Sequence, residues 1–320
     1  MSWLVAGLLW ALTIVKAVTR RKGQSSVMLW CALVFALSFS TDINEVFQPF
    51  DAMLGGWNST NIAGHLLFSA GVYLLSRSVV LAAVPGLAAR IDRWNRVLLA
   101  AVLESQATSF AFVRTTGPSG HFSVSYGTQD AALWYAVVEI LYTMLVLGAT
   151  GAISAMHSGR MRSPQYRWGM RLIASGCALA LATEATGMET VIRIHDGTLS
   201  GMSVLSRQHD VLFGSAASVL VIGFAVPSIA GWASRTARRR GAARMIESLL
   251  PVWEVATEGR AKVGLDDRSS ASRRLHRMAV EIRDASAADP GVAEQLTVRF
   301  GADAESVLAT AERFLSGDTA

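Results

Sequence analysis

Seven apolar runs, separated by loops whose basic content alternates, leave few folds open to this chain. A helix needs about 20 mostly apolar residues to cross the hydrocarbon core of a bilayer. Such runs lie at 3–18, 27–41, 62–84, 97–113, 131–155, 170–190 and 211–233, the first two being short. Charged residues make up only 17% of the chain, against about a quarter in globular domains. The expected fold is all-α, a seven-transmembrane-helix bundle. The first run has no basic residues before it and no small-residue cleavage site, so it reads as a retained helix, not a signal peptide.

Loop charges set an orientation. Lys16, Arg20, Arg21 and Lys22 follow the first run. Arg90, Arg93 and Arg96 follow the third, Arg160, Arg162 and Arg167 the fifth, and Arg235, Arg238, Arg239, Arg240 and Arg244 the seventh. The intervening loops are poor in Lys and Arg, and the one after the second run carries Asp42, Glu45 and Asp51 instead. Basic loops mark the cytoplasmic side, so the N-terminus is expected outside and the C-terminus inside, with the chain multi-pass in the plasma membrane. The formal charge of +5 follows from these loops and calls for no nucleic-acid partner.

The composition changes near residue 235, dividing a transmembrane domain (1–234) from a cytoplasmic one (235–320). The second part holds 14 Lys+Arg against 13 Asp+Glu. Apolar residues recur there at helical spacing: Met245, Leu249, Trp253 and Ala256, then Leu275, Met278, Ile282 and Ala285, and last Val307, Leu308, Ala311, Phe314 and Leu315. Asp289-Pro290 reads as a cap followed by a first-turn proline, and 260–272 as a linker. A small domain of about four helices is expected.

The first three and last three spans share an orientation, with the fourth between them, as in transporters built from parallel repeats. Short echoes accompany this. Ser40-Thr41-Asp42 parallels Ala182-Thr183-Glu184, and the stretch from His65 parallels the one from Asp210.

Three carboxylates fall inside runs: Glu104, Glu139 and Glu184. Glu104 lies eight residues from Arg96, about 12 Å along a helix. An ionisable group at such depth costs about 2.5–3.5 kcal/mol on insertion scales, so it marks a functional site by default. Tyr135, Glu139, Tyr142 and Thr143 share one helical face, as do Ala100, Glu104, Ala107, Thr108 and Ala111. Gly176, Ala180, Thr183 and Gly187 form a small-residue contact stripe beside Glu184. The three glutamates are expected to face a central-to-outer cavity lined by Tyr135 and Tyr142, with His65, on the outer side, as a further ligand- or ion-binding residue. The competing reading makes them protonated hydrogen-bonding groups that only hold helices together.

His65, His121, His195 and His209 fall on the outer side with several acids, but no pair has metal-ligand spacing, so no metal is expected. Arg114, Arg193 and Arg207 are available to pair with those acids. Asn58-Ser59-Thr60 matches a glycosylation sequon. Cys31 and Cys177, within runs, read as packing residues. The seventh run has no lysine for a retinal Schiff base, and the chain has no GxxxxGK[ST], HExxH or GxSxG motif. His276 reads as a surface histidine. Neither a catalytic role nor a cofactor is expected.

In the tail, Leu249-Leu250-Pro251-Val252-Trp253 precedes Arg274-Leu275-His276-Arg277-Met278-Ala279-Val280-Glu281-Ile282-Arg283-Asp284. This resembles the C-terminal domain of an actinobacterial family of multi-spanning membrane proteins labelled as transporters. The family pattern is L-x-P-L-W and then R-L-x-R-x-x-x-E-I-R-D. Val252 and the acid-rich Asp266-Asp267 linker depart from it, and neither bears on activity. The scarcity of lysine beside abundant Arg and Ala fits a high-GC bacterial genome. The resemblance implies seven spans with a helical tail and, by its label, transport.

Two functions follow as expectations. One is a transporter-like protein that binds a proton, cation or small cationic solute through Glu104, Glu139 and Glu184. The other is a receptor-like sensor whose tail docks on a cytoplasmic protein partner. A scaffold without ligand is a third. Lipid is the expected surroundings, and self-association as a homo-oligomer stays open.

Overall fold

Each apolar run folds as a helix, because backbone polar groups in long apolar stretches have only one another as partners. The computed structural model describes residues 2–20, 25–120, 122–161, 163–198, 200–258 and 271–316. Arg21, Lys22, His121, Arg162 and 259–270 of the linker lie outside them. Two units are distinguished, Met1–Ala230 and Gly231–Ala320.

In the first unit the helices are α1 (Ser2–Thr19), α2 (Val27–Thr41), α3 (Asn44–Met53), α4 (Ser59–Ala83), α5 (Ala88–Ala111), α6 (Phe122–Tyr126), α7 (Asp130–Ser158) and α8 (Pro164–His195). The 55-residue α9 (Met202–Ala256) begins in this unit and ends in the second. Four of them, α1, α4, α7 and α9, are long and apolar enough to cross a membrane. The pair α2 and α3, bent by 87° between them, counts as a fifth if it is one broken span. By the same standard α5 and α8 fall short. α5 opens with Arg90, Asp92, Arg93 and Arg96, and α8 carries Arg167, Arg171, Glu184, Glu189 and Arg193. Lys16, expected in a loop, lies within α1, and its ammonium donates to Phe224 O (2.9 Å) and Ser228 Oγ (2.6 Å).

The unit buries a largely apolar core with a minority of polar side chains in it, and it is also apolar on its outside. On α7, Tyr135, Tyr142, Thr143 and Thr150 are buried, while Trp134, Leu141 and Leu145 are exposed. Exposed apolar patches of this extent need an apolar partner, and a bilayer supplies one. α4 packs on α2, α5 and α7, and α7 packs along α8. Small residues set the close approaches, as the stripe on α8 foretold. A Cβ at Gly176 would stand 2.7 Å from Leu220 Cγ, and one at Gly71 2.7 Å from the Phe35 ring. Cys31 and Cys177 are buried and unpaired, serving as packing residues.

The loop expected after the second run is instead α3. Ile43 is extended and turns the chain. Asp51, fully buried, accepts hydrogen bonds from the backbone N–H of Asn58 (3.1 Å) and Thr60 (3.0 Å), capping α4. Asn58 adopts a left-handed φ of 60°, tolerable for asparagine. Its amide donates to Gly117 O (2.8 Å) and accepts from Ser119 N (2.7 Å). It is fully buried, so the sequon is not an accessible glycan acceptor.

In the second unit, the end of α9 packs with α10 (Ala271–Ala288), α11 (Pro290–Phe300) and α12 (Ala302–Ser316). Leu249, Ala256, Leu275, Met278 and Ala285 are fully buried, as their spacing predicts. Asp289 caps α11, its carboxylate accepting from Gly291 N at 2.9 Å. Trp253 anchors the core and donates its indole N–H to Glu281 (2.6 Å), which also pairs with Arg277 (2.9 Å). Arg283 pairs with Glu312 at 2.8 Å. His276 is exposed.

Candidate functional site

α4 carries His65, Ser69, Tyr73 and Arg77 at four-residue intervals, a polar stripe along one face. α5 and α7 cover it. His65 Nδ1 lies 2.9 and 2.8 Å from the two carboxylate oxygens of Glu139. Gln106 Nε2 donates to Glu139 Oε2 at 2.5 Å, and Ser69 Oγ donates to Gln106 Oε1 at 3.3 Å. Tyr142 OH donates to Ser69 O at 3.2 Å. Further along, Tyr73 OH donates to Asp92 (2.8 Å), which also meets Arg77 (3.3 Å) and Arg96 (3.4 Å). The result is a part-buried carboxylate held by two donors, linking three helices.

His65 stands between this carboxylate and open space. Its side chain is 39% exposed and that of Glu139 13%. It lines a polar cavity of about 360 Å³ with Thr41, Asp42, Asn61 and His209. Asp42 and Glu184 both lie within electrostatic reach of His65. The Tyr135 ring meets His65 edge-on at 5.3 Å between centroids. Its hydroxyl is buried without a hydrogen-bond partner among the described residues, as is that of Thr143.

Glu184 faces a different space. It lines an apolar cavity of about 80 Å³, with Thr183 and five phenylalanines among the lining residues. Thr183 OH donates to Leu179 O at 3.0 Å and not to the neighbouring Glu184 carboxylate.

The three glutamates do not share the expected cavity: Glu184 lines the apolar one, Glu139 meets His65, which lines the polar one, and Glu104 is an outlier. Glu104 is exposed, together with Ala100, Ala107, Thr108 and Ala111. The buried side of α5 carries Val102 and Gln106. Gln106 is two residues from Glu104, about 200° around the helix, so it turns inward where Glu104 turns out. Tyr135 and Tyr142 are buried behind the site and line neither cavity. His65 and Glu139 do come together. Asp42, noted in the sequence only as an outer acid, joins the group, and Gln106 and Ser69, which the sequence did not single out, complete it, although the four-residue polar stripe on α4 signals a buried partner.

The remaining outer groups pair locally. Arg193 binds Glu189 at 2.6 Å, and His195 Nε2 lies 3.5 Å from Asp130. His209 Nδ1 is 3.3 Å from Thr186 Oγ1. Among the described residues no three His, Cys, Asp or Glu side chains gather as metal ligands.

No protein-family model, no curated protein and no solved structure matches this chain.

Proposed function

We propose that this chain is a seven-span plasma-membrane protein, N-terminus outside and tail cytoplasmic, that binds a proton or small cation at Glu139 and carries it in a transporter-like cycle. The alternation of basic loops supports the orientation. α5 and α8 join the other five as spans because Gln106 and Thr183 turn inward and most of their charges cluster at helix ends. Helix-end arginines reach the interface at modest cost. The resemblance of the tail to a family labelled as transporters points the same way.

One observation carries the reading. The Glu139 carboxylate is largely but not fully buried, and His65, its hydrogen-bond partner, lines a polar cavity of about 360 Å³. That cavity is lined by helix ends and loops assigned to the outside, among them Thr41, Asp42, Asn61, Ser119, Gly120 and Phe122. A carboxylate with two donors and an exposed histidine beside it exchanges a proton or cation without losing its place. Nothing in this cycle makes or breaks a covalent bond beyond proton exchange, so the role is not enzymatic. The test is ion flux in liposomes holding the full chain, with Glu139→Gln as the variant. Flux should fall to background, and wild-type flux in this variant would overturn the proposal.

A sensor is the second reading, favoured by α9 having no break between the seventh apolar run and the first stripe of the tail. It predicts that deleting 246–320 leaves ligand binding intact and abolishes output to a cytoplasmic partner.

A further inference from the structure

The apolar cavity is built unlike the polar one. Its walls come from six helices, α1, α2, α4, α7, α8 and α9. Phe39 lies 5.9 Å from Phe68 and 5.3 Å from Phe213, and Phe35 lies 5.7 Å from Phe68. All four rings line the space, and Glu184 is the one charged residue that does so. Phe68 is within a turn of His65, and Phe213 is one turn from His209, whose partner Thr186 is two residues from Glu184. The rings and the carboxylate therefore stand at one level of the bundle.

An unpartnered carboxylate beside apolar walls is costly unless a proton or a cation neutralises it. A metal ion or hydrated cation would find only the Glu184 carboxylate and the Thr183 hydroxyl oxygen among otherwise apolar side chains, too few for its usual shell of about six oxygens. An alkylammonium ion needs no such shell. Its charge is satisfied by one carboxylate and by phenyl faces, and its carbon shell suits the walls.

We infer that this cavity binds a small quaternary or tertiary ammonium ion carrying a short apolar chain, with the charged nitrogen between Glu184 and the Phe39, Phe68 and Phe213 rings and the chain directed into the cavity. This names the class of cationic solute. It rests on reading the chain as a membrane protein that handles cations, but not on Glu139.

The test is calorimetric titration of the full chain in lipid nanodiscs with butyltrimethylammonium and with tetramethylammonium. Butyltrimethylammonium should bind saturably and more tightly than tetramethylammonium, because its chain fills apolar space. Glu184→Gln, which keeps shape and removes charge, should weaken binding at least about tenfold. Phe39→Leu should weaken it severalfold by removing a ring that meets three others. Absence of saturable binding to the wild type, or an unchanged affinity in folded Glu184→Gln protein, overturns the inference. Should Glu184→Gln fail to fold, Phe39→Leu decides, and unchanged affinity there overturns it. Glu139→Gln separates the two ideas. Lost flux in that variant with no wild-type ammonium binding sinks this inference alone, while ammonium binding with wild-type flux in that variant sinks the Glu139 reading alone.

Discussion

Asp51→Asn tests how the site is held in place. The carboxylate accepts the N–H of Asn58 at 3.1 Å and of Thr60 at 3.0 Å, and it is fully buried. These bonds fix the first turn of α4, the helix that presents His65 two turns later. Asparagine keeps the shape and one acceptor oxygen. The second backbone N–H then faces an amide donor and is left unpaired. Hydrogen bonds to a charged group contribute about 1.5–3 kcal/mol and neutral ones about 1 kcal/mol. Losing one and weakening the other costs roughly 3 kcal/mol. For a unit of some 200 residues each kcal/mol moves the midpoint by about 2–4 °C, so a drop of roughly 6–12 °C is expected. Cys31 and Cys177 provide the assay, since both are buried free thiols. A maleimide that fluoresces on reaction reports their exposure as the bundle opens on heating. A midpoint within about 2 °C of the wild type would show that Asp51 does not hold α4, and the physical account of this corner would be wrong.

Glu139→Gln should reduce liposome flux to background while Glu104→Gln leaves it unchanged, because only the first lies inside the bundle. Gly176→Val places a carbon 2.7 Å from Leu220 Cγ; overpacking of that kind costs about 1–3 kcal/mol, read as faster maleimide labelling of neighbouring Cys177. Leu275→Ala should destabilise the tail unit by about 2–5 kcal/mol, seen as rapid proteolysis between 271 and 316, with flux unaffected if transport resides in the first unit.

Much of the helical layout is readable in the sequence, because run length and 3.6-residue spacing are local properties. The stripes Leu249–Trp253–Ala256 and Leu275–Met278–Ile282–Ala285 are buried as their spacing requires. Helix α3 was not readable. Glu45, Pro49 and Asp51 suggest a loop, yet Phe47 and Asp51, four apart, are buried on one side. The tail's start near 235 carries no break either, since α9 continues through Arg238–Arg240. Arginine and alanine favour helix, so the change of composition there does not end the helix, although the division between the two units falls nearby at 230–231. The site was half legible. A carboxylate in an apolar run announces itself by its cost, as Glu139 did. A neutral amide such as Gln106 does not, and which side of α5 turns inward depends on which helices flank it, a long-range fact absent from any single run.

Glu139 and Glu184 looked alike in the sequence, each a lone acid at similar depth. Their surroundings separate them. Glu139 has donors from His65 and Gln106 and an outlet to polar space. Glu184 has apolar walls and phenyl rings instead. His65 lies within electrostatic reach of both, and of Asp42. A cation bound at either acid therefore lowers the negative potential felt at the other. Binding at the two sites should then be mutually unfavourable, and by linkage the penalty is the same in both directions. That reciprocity is what an exchanger needs: a proton arriving at Glu139 helps release an ammonium ion held at Glu184. Ammonium affinity should accordingly fall as the proton concentration rises, and Glu139→Gln, neutral at every pH, should flatten that part of the dependence. An unchanged pH profile in the variant would mean that the two acids act independently.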